Sequence, residues 1–86
     1  MKYKLLIKRE ADRVLRKLGT NDRLRITEKI VLLGANPDDS ALDIKPLHGE
    51  PFLRMRVGGW RVIFDRQEKL KIIAIERIKP RGGAYK

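Results

Sequence analysis

Two apolar segments near the start of the chain differ in period and therefore predict different elements. The run Tyr-Lys-Leu-Leu-Ile at residues 3–7 is short and predicts a strand. The next apolar residues recur every three or four positions, as one face of a helix requires: Ala11, Val14, Leu15 and Leu18. Gly19 follows where a helix C-cap belongs, because glycine adopts the left-handed conformation without steric cost.

A second helix is predicted directly after Gly19. Thr20, Asn21 and Asp22 offer side-chain oxygens for its N-cap and negative charge for its first turn. The apolar face of this helix is predicted to contain Ile26, Ile30, Val31 and Leu33. The helix should stop near residues 34–37, Gly-Ala-Asn-Pro, since a proline ends the helical pattern. The two helices would form a hairpin with a single-glycine corner.

Three strand segments follow a connecting stretch. Residues 37–51 are rich in proline, aspartate and glycine, so we expect them to be mostly loop. Strands are predicted over residues 52–57, 60–65 and 70–78, and Gly58-Gly59 suits a two-residue hairpin turn that needs positive φ values. The order β-α-α-β-β-β predicts an α+β fold, with the helical hairpin packed on a small, mostly antiparallel four-stranded sheet. A chain of 86 residues suits a single domain, 1–86.

The hairpin turn determines which side chains share a face of the sheet. The predicted pairs on one face are all apolar: Val57–Trp60, Met55–Val62 and Leu53–Phe64. On the other face, Arg56 would lie opposite Arg61, and Arg54 opposite Ile63. A slip by one residue would move arginines into the core, so the pattern favours this register.

The pairing of the last strand follows from its turn. A two-residue turn at Gln67-Glu68 would place Ala74 opposite Arg61, and the small side chain would leave space above the sheet.

The arginine-rich face also carries much of the charge of the chain. The net charge is +10, and residues 52–86 contribute +7 of it, from ten basic and three acidic residues. Like charges directly opposite each other destabilise a sheet, and only two acids, Asp65 and Glu76, are near enough in sequence to offset the repulsion. A concentrated positive charge indicates a polyanionic partner, most often nucleic acid. Arginine suits phosphate because its planar fork can bind two oxygens at once and keeps its charge.

Composition excludes several other classes of function. The chain has no cysteine, which excludes disulfides and thiolate chemistry, and the lone His48 cannot build a histidine-based metal site. We therefore expect no metal and no cofactor. No apolar run approaches the roughly 20 residues of a membrane helix, and charge interrupts the N-terminal segment where a signal peptide would be apolar. A cytoplasmic protein without membrane contact is expected.

Three further stretches resemble a known family when they are taken in order. They are KPLHG at residues 45–49, the hairpin LRMRVGGWRVIF at 53–64 and the closing IKPRGGAYK. Together with the β-α-α-β-β-β order, they resemble the RelE/ParE toxin superfamily, the toxin halves of bacterial and archaeal toxin–antitoxin pairs. The most specific features are the basic-x-basic hairpin that ends in aromatic-Arg, and an arginine followed four residues later by tyrosine.

The resemblance to the RelE-type branch implies a function. RelE-type members are ribosome-dependent endoribonucleases that cut mRNA in the ribosomal A site. The reaction would need no metal, since the 2′-hydroxyl attacks the adjacent phosphate. The implied partners are the ribosome, the mRNA and a cognate acidic antitoxin.

The resemblance also implies roles for individual residues. The implied catalytic residues are Arg54, in place of a catalytic lysine, Arg61 at the scissile phosphate, Arg81 near the leaving group and Tyr85 stacked on a base. Arg56 would hold the phosphate together with Arg61. The basic residues near the end of the chain, Arg77, Lys79, Arg81 and Lys86, form either an unstructured basic tail or an edge of the site that follows the phosphates. We favour the second interpretation and expect Arg77 and Lys79 to bind phosphate.

The chain departs from the RelE pattern at the residues that would carry protons. Pro80 stands where many relatives have a histidine, and Phe52 where they have a lysine, while an arginine cannot accept a proton because its pKa exceeds 12. Lys79, Tyr85 and Glu76 are candidates for the base by their position in the sequence. Two alternatives therefore stay open: a ParE-like toxin that inhibits DNA gyrase without nuclease activity, and a catalytically silent RNA-binding module of the same fold. The module is the weaker alternative, because the sheet has no aromatic-rich face.

Overall fold

A five-stranded sheet with two helices on one face makes up the described part of the chain, residues 2–80 of the computed structural model. The elements in chain order are β1 (Lys4–Ile7), α1 (Arg9–Lys17), α2 (Thr20–Ala35), β2 (Asp43–Pro46), β3 (Leu53–Val57), β4 (Trp60–Gln67) and β5 (Ile72–Pro80). The strand order is β1-β5-β4-β3-β2, in which β1 runs parallel to β5 and the other neighbours are antiparallel. The predicted α+β class is confirmed.

The hydrophobic core lies between the helices and the face of the sheet that the register makes apolar. The helices bury Ala11, Leu15, Ile26, Ile30 and Leu33. The strands bury Met55, Val57, Val62, Phe64, Ile73, Ile75 and Ile78 against them. Each fully buried side chain of this size contributes about 1.5–3 kcal/mol, so this layer dominates the stability of the fold.

The β3–β4 hairpin has the predicted register. Val57 pairs with Trp60, and Arg56 pairs with Arg61. Only Gly58 of the two turn glycines has a positive φ, of 57°, as the first central position of a type II′ turn requires. The hairpin therefore fixes both faces of the sheet as the sequence pattern indicated.

The structure has one strand more than the sequence analysis predicted. The expected loop 37–51 contains β2, which pairs with β3 and makes the sheet five-stranded. The strand was missed because it has only four residues between segments rich in proline, aspartate and glycine. Within it, Ile44 packs against the core, while Asp43 and Lys45 are exposed.

The predicted caps and part of the apolar face of the second helix were wrong. Gly19 is the N-cap of α2 with φ −62°, so it is not a left-handed C-cap, and Thr20 is already helical. No side chain caps α2, although Asp22 does lie in its first turn. Val31, which was placed on the buried face, is 58% exposed. The cause is geometric: Ile26, Ile30 and Leu33 already fill the stripe that faces the sheet.

The predicted pairing of β4 with β5 was also wrong. The turn spans four residues, 68–71, and Lys71 takes a left-handed φ of 55°. A register shift between Ile63 and Phe64 moves the pairing again. Arg61 consequently lies opposite Lys79, and Ala74 lies opposite Asp65. A third cation thus occupies the place where space above the sheet was expected.

Neither helix in residues 2–80 has the length and apolar content needed to cross a membrane.

The start of β1 packs tightly against the end of α2. The backbone N–H of Tyr3 donates to the carbonyl of Gly34 at 2.7 Å. A Cβ on Gly34 would lie 2.9 Å from Cγ of Leu5 and 3.0 and 3.1 Å from its two methyl groups. Because the whole branched end of Leu5 covers this glycine, the absence of a side chain is what allows the strand to approach the helix.

Gly34→Ala should therefore destabilise the protein although it improves helix propensity. The propensity gain is at most about 1 kcal/mol, whereas overpacking typically costs 1–3 kcal/mol. We expect a net loss of about 1 kcal/mol in urea denaturation. In a Leu5→Ala background the clash is gone, so the same substitution should become neutral or stabilising. A loss of equal size in both backgrounds would contradict the close-packing explanation.

A cluster of charged side chains surrounds Tyr3 beside β1. Arg66 donates to Asp38 Oδ1 at 2.9 Å, to Glu68 Oε1 at 2.9 Å and to the Tyr3 hydroxyl at 3.0 Å. Lys71 donates to Glu68 Oε2 at 2.7 Å, and the Lys71 and Arg66 cations lie 5.1 and 5.4 Å from the centroid of the Tyr3 ring. Hydrogen bonds from Lys71, Tyr3 and Arg66 hold the pKa of Glu68 at about 2, below its ordinary value of 4.5. The hydrogen bond from Arg66 likewise lowers the pKa of Asp38.

The lowered pKa of Glu68 predicts a pH dependence of stability. Because the folded-state pKa lies below the ordinary value, the contribution of Glu68 is present above about pH 4.5 and is lost as the pH falls towards 2. Glu68→Gln should therefore flatten the dependence of the free energy of unfolding on pH between 2 and 4.5. Glu28→Gln is the control, because the Glu28 carboxylate makes no ion pair within residues 2–80. Parallel curves for Glu68→Gln and the unsubstituted protein would refute the assignment.

Candidate nucleic-acid interface

The face of the sheet opposite the helices collects six basic side chains. Directly opposed residues on neighbouring strands point to the same side, so the pairing places them in two rows. One row runs Lys45–Arg54–Ile63–Arg77 across β2, β3, β4 and β5. The other runs Asp43–Arg56–Arg61–Lys79. We call the six basic residues the cationic face: Lys45, Arg54, Arg56, Arg61, Arg77 and Lys79.

Several guanidinium groups of the cationic face are partly withdrawn from water. Arg54 is only 8% exposed, and its Nη1 is buried without a hydrogen-bond partner among the described residues. Nε of Arg61 and Nε of Arg77 are in the same state. An unpaired buried donor costs about 1–3 kcal/mol, more when it is charged. These guanidinium groups therefore have part of their hydrogen-bonding capacity unmet by the described residues.

The acids expected to offset the arginines do not reach them. Asp65 accepts a hydrogen bond from the Gln67 side chain at 3.0 Å, and Glu76 forms an ion pair with Lys8 at 3.5 Å. Within residues 2–80, no carboxylate lies within 4 Å of the guanidinium of Arg54, Arg56 or Arg61. The repulsion among Arg54, Arg56 and Arg61 is thus left without a counterion from those residues.

One member of the cationic face does have an acidic partner. Nη2 of Arg77 donates to Oε1 of Glu50 at 2.8 Å. Glu50 lies in the loop between β2 and β3, and it was not predicted to take part in the site. The contact joins a loop residue to a strand that is two places away from β3 in the sheet, which no local pattern in the sequence indicates.

Lys45 and Asp43 are the other contributions that the sequence analysis missed. Both belong to β2, which lies inside the segment 37–51 that was expected to be mostly loop. The signal was present, because Leu42-Asp43-Ile44-Lys45 alternates apolar with charged residues as a half-buried strand does. Leu42 and Ile44 pack against the core, and this alternation turns Asp43 and Lys45 towards the arginines.

The predicted site residues fall into two groups. Arg54, Arg56, Arg61, Arg77 and Lys79 lie together on the cationic face, although their roles in binding or catalysis stay predictions. Arg81 and Tyr85 lie outside the described residues. His48 is exposed in the loop after β2. No three His, Asp or Glu side chains converge as metal ligands in the part of the chain that the structure describes.

The arrangement suits electrostatic work more than proton transfer. Arginine forks hold phosphate oxygens and stabilise the charge that develops on them, but they remain protonated throughout. The titratable side chains in the two rows are the rim residues Asp43, Lys45 and Lys79, with Glu50 reaching in from its loop. The face can therefore bind a polyanion and stabilise a phosphorane-like transition state through fixed charge.

Solved structures of similar fold come from toxin–antitoxin pairs. The chain resembles a chain of the archaeal RelE–RelB complex from Pyrococcus horikoshii, with a TM-score of 0.83 and 31% identity, covering 98% of this chain and 100% of that one. It also resembles a chain of the RelBE2 toxin–antitoxin complex from Mycobacterium tuberculosis, with a TM-score of 0.78, 22% identity, and coverage of 94% and 100%. The isolated RelE toxin from E. coli matches with a TM-score of 0.75, 20% identity, and coverage of 93% and 85%.

These matches differ in what they establish. The M. tuberculosis and E. coli structures are under 25% identical and show the fold alone, but the isolated E. coli toxin shows that this fold is that of RelE and not of its partner. No family model matches the sequence, and no curated protein matches it. The archaeal match is 31% identical over nearly the whole of both chains. On that basis, the chain belongs to the RelE family of toxins from toxin–antitoxin pairs.

Proposed function

We propose that this toxin is a ribosome-dependent endoribonuclease that cleaves mRNA without a metal ion. The observation that carries the proposal is the cationic face, on which Arg54, Arg56 and Arg61 have no carboxylate partner within residues 2–80. A face of this kind gains free energy when phosphate supplies the missing anion. RNA threaded through the ribosomal A site is the polyanion that the family membership suggests.

In the proposed reaction, the 2′-hydroxyl of the RNA attacks the adjacent phosphorus to form a 2′,3′-cyclic phosphate, and the bond from phosphorus to the 5′-oxygen of the next nucleotide breaks. The proton of the 2′-hydroxyl passes through solvent to that 5′-oxygen, because the arginines stay protonated. Arg56 and Arg61 hold the non-bridging oxygens of the scissile phosphate, and Arg54 stabilises the negative charge that grows on them. Arg81 neutralises the leaving oxygen, and Tyr85 stacks on a neighbouring base. Arg77 and Lys79 bind the flanking phosphates. Positioning and fixed positive charge are the two terms that lower the barrier.

The proposed physiological partner is a cognate acidic antitoxin. An amphipathic acidic segment would bring carboxylates to the cationic face and apolar side chains to the neighbouring surface. Binding of this kind silences the toxin because the carboxylates and the RNA phosphates compete for the same guanidinium groups. The proposal follows from the charge of the face and from the toxin–antitoxin complexes among the similar structures.

The first test concerns the dependence of RNA binding on salt. Each phosphate neutralised on single-stranded RNA contributes about −0.7 to the slope of log K against log salt concentration. Arg56 is exposed on the cationic face, so Arg56→Gln should make the slope less negative by about 0.7 without disturbing the core. Arg13→Gln removes the same charge from the exposed side of α1 and should leave the slope nearly unchanged. Equal effects of the two substitutions would refute a phosphate site on this face.

The second test separates a nuclease from a gyrase inhibitor. Removing one donor to a developing charge costs about 10²–10³ in rate. Arg61→Ala and Arg81→Ala should each reduce mRNA cleavage in a translating extract by about that factor and abolish growth arrest. Arg13→Ala should retain both activities. Growth arrest without cleavage, accompanied by gyrase–DNA adducts, would refute the nuclease and support a ParE-like mechanism. This alternative is tested because the chain has Pro80 where many RelE relatives have a histidine.

A further inference from the structure

The loop between β2 and β3 contacts the cationic face through the side chain of Glu50. It spans residues 47–52 and is closed by a hydrogen bond from the Leu47 N–H to the Phe52 carbonyl at 3.1 Å. The Glu50 N–H donates to the Leu47 carbonyl at 3.1 Å, and Gly49 has the left-handed φ of 79° that this turn requires. Arg77 lies on β5, which is two strands from β3, so the two backbones are about 10 Å apart across the sheet. The side chains of Glu50 and Arg77 meet across this distance.

Glu50 lies where an RNA phosphate would bind if the cationic face is the RNA site. Its Oε1 accepts from Nη2 of Arg77 at 2.8 Å, the geometry that a phosphate oxygen also adopts. Arg77 shares its row of the sheet with Arg54, and both have a buried guanidinium nitrogen without a partner among the described residues. The carboxylate oxygen of Glu50 occupies one nitrogen of Arg77, and a phosphate oxygen that binds there has to replace it.

We propose that Glu50 is a built-in competitor for RNA phosphate on Arg77, so that RNA must displace the Glu50 carboxylate from Arg77. The proposal rests on the proposed function, because it takes the cationic face as the RNA-binding surface. In the free toxin, the Glu50 carboxylate would stay bound to Arg77. Only an anion that binds Arg77 more tightly than this carboxylate would displace it. Glu50 is thus a regulatory residue of the site and not a catalytic one.

The Glu50–Arg77 ion pair is weak enough to be displaced. The Glu50 side chain is 42% exposed and that of Arg77 is 28% exposed, so water screens their attraction. Ion pairs of this kind change an equilibrium constant by about two- to fivefold. Removing the competitor should therefore tighten anion binding at Arg77 by about two- to fivefold.

The experiment uses inorganic phosphate as the probe and the side-chain N–H signals of individual arginines, measured by NMR, as the readout. Glu50→Gln removes the charge and the acceptor, and Glu50→Asp keeps the charge but shortens the side chain by one methylene. Both variants should bind phosphate more tightly at the Arg77 signal, with less change at Arg61. Asp43→Asn is the matched control, since it removes a carboxylate from the same face without breaking an ion pair to an arginine. Glu28→Gln controls for net charge.

Three results would overturn the proposal. They are equal gains for Glu50→Gln and Asp43→Asn, a Glu50→Asp variant that binds like the unsubstituted protein, and an Arg77 signal that phosphate does not perturb. The exposed position of Glu50 keeps these variants foldable, and the backbone spectrum verifies it for each. Cleavage of mRNA is measured separately. If the cleavage assay refutes the nuclease hypothesis, the phosphate titration still supports or refutes competition at Arg77 independently.

Discussion

Apolar and basic residues alternate along the β3–β4 hairpin, so the packing that stabilises the protein also fixes the position of its positive charge. The register that places Met55, Val62 and Phe64 in the core also forces Arg54, Arg56 and Arg61 onto the opposite face. Like charges facing each other across a sheet cost about 0.2–1 kcal/mol per pair. Each buried apolar partner contributes about 1.5–3 kcal/mol. Burial therefore outweighs repulsion, and the hairpin holds three cations together that would otherwise separate.

The same comparison explains which parts of the fold were predictable. The hairpin register was predicted correctly because the short turn and the alternation of apolar and basic residues both select it. A shift by one residue would move arginines into the core. The β4–β5 pairing was not, since a four-residue turn and an irregularity between Ile63 and Phe64 shift the register twice without altering the apolar pattern. Gly19 was misassigned for a related reason. A glycine between two helices suits either a C-cap or an N-cap, and only the backbone conformation decides between them.

The residues of the candidate site that lie close together in the sequence were easier to predict than those that lie far apart. Arg54, Arg56 and Arg61 lie within one hairpin, so local pairing was enough to bring them together. Lys45 depended on recognising a four-residue strand inside a loop. Glu50 depended on a side-chain contact between that loop and a strand two places away from β3, which is a tertiary feature with no periodic signal. The arginines proposed to bind an anion were thus within reach of the sequence, whereas the acid proposed to compete with the anion was not.

The free toxin consequently carries a cost that any bound anion relieves. Guanidinium nitrogens of Arg54 and Arg61 that have no partner within residues 2–80 cost free energy in the folded state, and a ligand that binds these arginines stabilises it by RT ln(1 + [L]/Kd). Glu50 shows the effect on a small scale, since its carboxylate satisfies one nitrogen of Arg77 from within the chain. An acidic partner and an RNA backbone would act on the remaining arginines in the same way. Under the proposed function, inhibition and substrate binding draw on one source of free energy, because carboxylates and phosphates would bind the same guanidinium groups.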